Sequence, residues 1–256
     1  MLVTSRTGAV GGRSRLPSQP RPALSDTTRR YNPPMALRAI LLDLDGTLVD
    51  ASEAIADGIV AIAAEHGLSV PGREWALSRV GFSPQETWEL LGADDPETMS
   101  RLFRERYMPR LPERTRVLPG AKEAVLELAG RGLALALATT RRTDSATETL
   151  RVAGMLEAIR FIGGGDLVAK HKPDPEVVHL VLERLECAPT EALMVGDTTA
   201  DVAAAHAAGV PCWAVLGGTH DERTLRDAGA DLILSAGIGE LTAALDRRSA
   251  RPSSWR

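Results

Sequence analysis

Short apolar runs alternate with helical patterns along most of the chain. The helical patterns have typical ends, such as Gly154 and Gly209 at their C-termini. The apolar runs cover residues 39–42, 133–138, 159–162, 192–195, 212–215 and 232–234. This alternation is typical of strand–helix–strand units whose strands pair in parallel. We therefore predict an α/β fold with a doubly wound, Rossmann-like and mainly parallel sheet.

One block, residues 52–116, contains no convincing strand. Ile55, Ile59 and Ile62 recur every three to four residues, as on one face of a helix. A helical block that follows the first strand of such a sheet is expected to lie over the strand ends, where ligands bind in these folds. We therefore predict a small all-helical cap domain over residues 52–116. It is inserted after the first strand of a core made of residues 35–51 and 117–246.

The two ends of the chain lack these patterns. Residues 1–34 contain six arginines and a single acid, Asp26, so we predict a disordered N-terminal extension. The same composition is typical of an organellar transit peptide. We favour an extension upstream of a true start at Met35, because Met35 lies just before the first strand. Residues 247–256 are predicted to form a disordered tail.

Composition and charge narrow the range of partners. The net charge of −4 gives no general field that attracts nucleic acid or anionic lipid, so we expect neither as a partner. No apolar run approaches the roughly 18 residues of a membrane span. The two cysteines do not form the framework of a secreted disulfide protein. We predict a cytoplasmic protein, and the sequence leaves both a monomer and a homodimer open.

Two carboxylates, Asp43 and Asp45, lie where the first strand meets Gly46 and Thr47. Buried carboxylates that lie close together need a neutralising group, and a divalent cation is the usual one. Alternatively, one aspartate caps the following helix and the other is solvated. For an isolated Asp-x-Asp pattern these two interpretations are about equally good.

Polar residues also follow two other predicted strands. Thr139 and Thr140 could donate hydrogen bonds to a phosphate oxygen, although a threonine at a strand end usually caps a turn. Asp197 follows a short apolar strand, and Asp201 lies in the first turn of the next helix. The spacing predicts that both acids lie at the same end of the sheet. Asp201 could instead only stabilise the helix N-terminus.

One lysine is a further candidate. Lys172 precedes Pro173, and residues before proline avoid the helical region, so Lys172 is expected in an extended segment. A lone lysine in such a segment is more often a solvated charge than a ligand-binding group.

Together these segments resemble the motifs of the haloacid dehalogenase superfamily of phosphohydrolases, in the expected order across residues 37–245. The residues that carry the resemblance are Asp43-Leu44-Asp45-Gly46-Thr47, Thr139, Lys172, and Gly196-Asp197 with Asp201. Within the superfamily the chain resembles phosphoglycolate phosphatases and their pyrophosphatase relatives. The stretches that carry this similarity are Gly164-Gly165-Asp166, Lys172-Pro173-Asp174-Pro175 and Ala228-Gly229-Ala230-Asp231. Thr140-Arg141 departs from the Asn and Lys that those enzymes more often have, which puts the substrate preference in doubt.

The resemblance implies a magnesium-dependent phosphatase that passes through an aspartyl-phosphate intermediate. Asp43 would be the nucleophile, and Asp45 the general acid and base. Thr139, Lys172 and the backbone near Thr140 would bind the phosphoryl oxygens. The Mg²⁺ ligands would be the Asp43 carboxylate, the Asp45 backbone carbonyl, Asp197 and Asp201.

The substrate would be a small phosphorylated metabolite, either phosphoglycolate-like or a sugar phosphate. Arg79 and Gly81 lie where related enzymes have a substrate-selecting cap loop, although Arg79 is equally well explained as a surface residue. A pyrophosphatase and a sugar phosphomutase are alternatives within the superfamily. Ile55 stands where a mutase is expected to have a histidine, and Asp45 argues against a dehalogenase. An alternative of another class is a regulatory module that is phosphorylated on aspartate without turnover.

Overall fold

The computed structural model describes residues 37–80 and 82–249, with only the backbone for Ser249. The predictions for residues 1–34 and for Gly81 therefore lie outside the described residues.

The regular elements follow the predicted alternation. The strands are β1 (Ala39–Leu42), β2 (Val49–Asp50), β3 (Arg116–Val117), β4 (Ala134–Ala138), β5 (Ile159–Gly163), β6 (Ala192–Gly196), β7 (Cys212–Val215) and β8 (Leu232–Leu234). The helices are α1 (Ser52–Glu65), α2 (Arg73–Leu77), α3 (Pro84–Leu90), α4 (Pro96–Arg106), α5 (Ala121–Gly130), α6 (Thr143–Ala153), α7 (Glu176–Arg184), α8 (Thr199–Ala207), α9 (Glu222–Asp227) and α10 (Leu241–Ser249). Short 3-10 helices occur at Met108–Arg110, Pro112–Arg114, Leu156–Ala158, Gly165–Leu167, Pro189–Glu191 and Ile238–Glu240.

Six of the strands form one parallel sheet in the order β5-β4-β1-β6-β7-β8. Each of the six apolar runs predicted from the sequence is one of these strands. Side chains point alternately to the two faces of the sheet along each strand. Helices cover both faces. Ile40 and Leu42 of β1 pack in one cluster with α5, α6 and α10, whereas Ala39 and Leu41 pack in a second cluster with α7 and α8. The predicted α/β fold is thus confirmed.

The helices α1 to α4 have an apolar core of their own. Ile59 and Ile62 of α1 pack there with Trp88 of α3 and Phe103 of α4. The Trp88 and Phe103 rings meet edge to face, with 6.4 Å between their centroids. These helices are the block predicted to form the cap. Its exact limits, residues 52 and 116, remain a prediction.

A short antiparallel pair of strands joins this block to the sheet domain. β2 pairs with β3, with Val49 opposite Val117 and Asp50 opposite Arg116. Each strand has only two residues, which is too short for a periodic pattern, so the sequence did not predict them. The pair holds the entry and exit of the helical block side by side.

The C-terminal boundary differs from the prediction. Helix α10 continues to Ser249, which extends three residues into the segment predicted as a disordered tail. Arg247 donates a hydrogen bond to Glu240, and the Arg248 guanidinium lies 5.3 Å from the centroid of the Trp213 ring. These contacts give the last turn of the helix partners that the sequence pattern did not reveal. Residues 250–256 lie outside the described residues.

Within residues 37–80 and 82–249, no helix has both the length and the apolar character needed to cross a membrane.

Candidate active site

The sheet topology brings three predicted site residues to one edge. Asp43 follows β1, Thr139 follows β4 and Asp197 follows β6. In the sheet, β4 and β6 are the two neighbours of β1. The strand order therefore reverses at β1, and such a switch point opens a crevice at the carboxyl ends of the strands.

A tight turn follows Asp43. The Gly46 N–H donates to the Val49 carbonyl, and the N–H groups of Leu48 and Val49 both donate to the Leu44 carbonyl. Gly46 has a φ of +83°, a left-handed conformation that residues with a Cβ rarely adopt. The glycine between the two motif aspartates and β2 is thus required by the backbone of this turn.

Lys172 is buried at the centre of the site. Its ammonium donates to Asp43 Oδ1 at 2.7 Å, to Asp201 Oδ1 at 2.5 Å and to the Ala138 carbonyl at 2.9 Å. An ammonium has three hydrogens, so all its donors are used. The side chains of Lys172 and Asp43 are only 2% and 3% exposed. The alternative of a solvated lysine is therefore wrong.

The Asp201 carboxylate both caps helix α8 and binds Lys172. Its Oδ2 accepts hydrogen bonds from the backbone N–H and the hydroxyl of Thr198, at the N-terminus of α8. Its Oδ1 faces Lys172. The sequence presented helix capping and a site role as alternatives, but the two oxygens of one carboxylate can do both.

Asp197 is fully buried and tightly enclosed. Its Oδ1 accepts a hydrogen bond from the Thr47 hydroxyl at 3.2 Å, and its Oδ2 accepts one from the Thr219 backbone N–H at 2.7 Å. A Cβ placed on either Gly46 or Gly218 would overlap the Asp197 carboxylate. These two glycines therefore fix where the carboxylate lies.

Asp43, Asp197 and Asp201 form one acidic cluster. One carboxylate oxygen from each lies within 4.8 Å of the other two. Oδ2 of Asp43 is buried, and no described residue donates a hydrogen bond to it. Carboxylate oxygens gathered in this way suit a hard divalent cation, so the residues fit the predicted metal site.

Burial controls the charge of the cluster. Burial raises the pKa of Asp43 to about 7, because the nearby Lys172 offsets only part of the desolvation. Burial and the adjacent Asp201 raise the pKa of Asp197 well above its usual range. Burial alone would lower the pKa of Lys172, but the Asp201 and Asp43 carboxylates outweigh it and raise that pKa. One ammonium faces three carboxylates, which leaves the cluster short of positive charge.

Asp45 lies outside this cluster and has a cation of its own. Arg141 Nε donates to Asp45 Oδ2 at 2.9 Å, and Arg141 Nη2 donates to Asp45 Oδ1. Both side chains are buried. From the sequence, Arg141 stood out only as a departure from related sequences. Its position directly after Thr139-Thr140, at the end of a central strand, was the available signal.

The phosphate-binding candidates differ in their placement. Thr139 is buried, and its hydroxyl accepts a hydrogen bond from the Arg141 backbone N–H at 3.2 Å. Thr140 is half-buried in the loop that follows β4.

Arg79 belongs to the helical block. Its guanidinium lies 5.5 Å from the Trp75 ring centroid and 5.0 Å from that of Phe82. Among the described residues, no hydrogen bond or ion pair joins Arg79 to the acidic cluster, so its predicted role in substrate selection remains a prediction. Phe82 in turn meets His220 edge to face, which brings the helical block against the loop after β7.

A cavity of about 390 Å³ lies between the helical block and the sheet domain. Gly46, Gly218 and Thr219 line it on the sheet side, next to Asp197. Leu77, Ser78 and Val80 line it on the other side, and its acidic lining residues are Asp50, Glu53 and Glu74. The loop of residues 217–219 was not among the site residues predicted from the sequence. A glycine pair directly after an apolar strand was the signal that could have found it.

The family model described as haloacid dehalogenase-like hydrolase matches residues 40–215. The chain belongs to this family. The match covers β1 to β7, and with them Asp43, Asp45, Thr139, Lys172, Asp197 and Asp201. The predicted family is thereby confirmed, and the predicted phosphatase class is confirmed by this match together with the names of the chain's relatives.

The names of similar proteins agree with the assignment of this haloacid dehalogenase-like hydrolase to the phosphatases. A phosphoglycolate phosphatase of Rhodospirillum rubrum is 35% identical over 187 residues, which cover 68% of this chain and 77% of the relative. A phosphoglycolate phosphatase of Nitrosospira multiformis is 30% identical, over 78% of this chain and 92% of the relative. The crystal structure of CbbY from Rhodobacter sphaeroides in complex with phosphate aligns with a TM-score of 0.70 at 27% identity. That alignment covers 82% of this chain and 99% of CbbY.

The first testable prediction concerns the buried ammonium. Lys172→Met should lower the free energy of unfolding by about 3 kcal/mol, because it leaves buried carboxylates without their counter-ion. Urea unfolding in EDTA measures this change. Lys170→Met is the matched control, since the Lys170 side chain is 73% exposed. Equal unfolding midpoints for the two variants would contradict the ion-pair account.

Proposed function

We propose that this hydrolase is a magnesium-dependent phosphatase that acts on a small phosphorylated metabolite through an aspartyl-phosphate on Asp43. One observation carries the proposal. Lys172 holds Oδ1 of Asp43, while Oδ2 is buried without a hydrogen-bond donor among the described residues. A carboxylate with one oxygen anchored and the other free is suited to attack phosphorus.

Asp43, Asp197 and Asp201 would hold Mg²⁺ through their carboxylates, and Asp45 through its backbone carbonyl. When bound, the cation would offset the negative charge of the phosphate and of the cluster, so that an anionic nucleophile can approach an anionic substrate. The shortage of positive charge around Lys172 supports this assignment.

Thr139 and Lys172 would orient the phosphoryl group. The Thr139 hydroxyl accepts its hydrogen bond from Arg141 N–H, so its own hydrogen is available to a phosphoryl oxygen. All three Lys172 hydrogens are already donated. A phosphoryl oxygen would therefore have to replace one of these acceptors, and Lys172 would otherwise act through its charge.

The reaction would proceed in two displacements. In the first, an Asp43 oxygen forms a bond to phosphorus while the bond to the leaving oxygen breaks, and Asp45 gives a proton to that oxygen. In the second, Asp45 takes a proton from water as the water oxygen attacks phosphorus. The Asp43–phosphorus bond then breaks, which releases inorganic phosphate and restores both aspartates.

The best specific substrate is phosphoglycolate, because the relatives of 30% and 35% identity carry that name. A phosphate ester of an uncharged sugar is the second candidate, and the acidic lining of the cavity supports it. Asp50, Glu53 and Glu74 line this cavity. Asp50 and Glu53 are paired with Arg116 and Arg73, respectively. Glu74 has no such partner among the described residues, and its carboxylate would repel the carboxylate of phosphoglycolate.

The second prediction tests the nucleophile. Asp43→Asn should lower kcat by at least about a thousandfold, because an amide oxygen is a poor nucleophile. Steady-state release of phosphate from p-nitrophenyl phosphate measures the loss. Asp144→Asn, an exposed aspartate on α6, is the control and should keep full activity. If Asp43→Asn keeps most of the activity, Asp43 is not the nucleophile. If the unmodified protein stops after one p-nitrophenolate per chain, the result would support the alternative of a regulatory module that is phosphorylated without turnover.

The third prediction tests the enclosure of Asp197. Gly218→Ala would push a Cβ into the Asp197 carboxylate, so it should weaken Mg²⁺ binding by about tenfold or more. Calorimetric titration with Mg²⁺ measures this independently of activity. Gly130→Ala is the control, because no atom lies within 4 Å of a Cβ built at Gly130. Equal Mg²⁺ affinities in the two variants would exclude Asp197 as a ligand.

The fourth prediction addresses the substrate. We expect kcat/KM to be higher for phosphoglycolate than for glucose phosphate or pyrophosphate. Glu74→Gln should raise kcat/KM for phosphoglycolate by a few-fold without changing that for glucose phosphate, because it removes a negative charge from the cavity. Glu97→Gln, at an exposed position of α4, is the control. A higher kcat/KM for glucose phosphate would favour the second candidate.

A further inference from the structure

The buried pair of Arg141 and Asp45 is the strongest feature of the site that the mechanism above leaves unexplained. Nε and Nη2 of Arg141 donate to the two different oxygens of Asp45. The side chains are 2% and 7% exposed, respectively. A two-point pairing of this kind fixes the orientation of a carboxylate as well as its charge.

The guanidinium is itself anchored from two directions. Its Nη1 donates to the hydroxyl of Thr149 on α6 at 2.7 Å, and Thr149 is buried. The Arg141 backbone N–H donates to the Thr139 hydroxyl at 3.2 Å. Helix α6 and the end of β4 thus hold Arg141 in place, and Arg141 in turn holds Asp45.

This arrangement separates the two motif aspartates. Asp43 shares Lys172 with Asp201, whereas Asp45 is bound by Arg141 and its carboxylate is not part of the acidic cluster. Both Asp45 oxygens accept hydrogen bonds from the same guanidinium. Arg141 therefore orients Asp45 as a hydrogen-bond acceptor, which is the role of a base toward an attacking water.

We propose that Arg141 is a positioning residue that holds Asp45 as the base for the second displacement, in which water splits the aspartyl-phosphate. The inference rests on the proposed function, because it assumes that Asp45 takes the proton of the attacking water. That proton passes to an Asp45 oxygen as the water oxygen bonds to phosphorus and the Asp43–phosphorus bond breaks. For the first displacement, Asp45 has to carry a proton and to break its hydrogen bonds with Arg141. It then gives this proton to the leaving oxygen.

p-Nitrophenyl phosphate separates the two steps, because p-nitrophenolate leaves without needing a proton. Arg141→Gln should slow only the second step, so that kcat and KM both fall by about tenfold to a hundredfold while kcat/KM stays nearly constant. Rapid mixing should then show a burst close to one p-nitrophenolate per chain, absent in the wild type. Arg142→Gln, at the exposed neighbouring arginine, should change neither kcat nor the burst.

A double-mutant cycle shows whether Arg141 acts through Asp45. In an Asp45→Asn background, Arg141→Gln should have almost no further effect on kcat, because the group it positions is gone. Arg141→Lys, which keeps the charge but not the fork, should have an intermediate kcat, and it serves as the second variant if Arg141→Gln does not fold.

An equal loss of kcat in both backgrounds, or a raised KM with an unchanged kcat, would overturn the inference. The second outcome would make Arg141 a substrate-binding residue. The proposed function fails separately, through an active Asp43→Asn or a fully active Asp45→Asn. If Asp45→Asn loses activity while Arg141→Gln has wild-type kinetics, only the positioning role is wrong.

Discussion

Three buried carboxylates around one buried ammonium are the interaction on which this site depends. Lys172 bonds directly to Asp43 and Asp201, and Asp197 completes the cluster. Removing such charges from water is unfavourable unless they are paired, and a single lysine cannot offset three aspartates. With all three carboxylates ionised, the cluster would carry an excess of negative charge in a place where charge is unfavourable, and the raised pKa values of Asp43 and Asp197 reflect this. A divalent cation bound by the same oxygens removes this excess, which is why the electrostatics and the proposed phosphatase chemistry agree.

The fold makes this concentration of charge possible. Parallel strands end at a common edge, and β1 lies between β4 and β6, so that Asp43, Thr139 and Asp197 meet although they are far apart in the chain. Glycines then bring backbone and carboxylates closer than other residues would allow. Gly46 and Gly218 enclose Asp197, and Gly196 would overlap Asp201 if it carried a Cβ. The position of the carboxylates thus depends on these glycines as well as on the aspartates themselves.

Much of this could be predicted from the sequence, because each signal was local. The six apolar runs could be identified as strands because the strands of a parallel sheet covered on both faces are continuous apolar segments. The acids, Thr139 and Lys172 were found because each follows a strand or stands in a distinctive local pattern. Other features depend on contacts between distant segments. The pairing of Arg141 with Asp45 spans 96 residues, so no local pattern predicts this contact, although the strand-end position of Arg141 marked it as a site candidate. The two-residue strands β2 and β3 are too short for periodicity, and the last turn of α10 depends on a contact with Trp213.

The central claim is that phosphate passes through Asp43 rather than directly to water. The stereochemical course at phosphorus tests this most directly. A phosphorothioate ester made chiral with two oxygen isotopes would be hydrolysed in water that contains the third isotope, and the configuration of the thiophosphate product determined. Two successive in-line displacements, first by Asp43 and then by water activated by Asp45, predict net retention of configuration. Net inversion would mean a single displacement by water, and it would contradict the aspartyl-phosphate account.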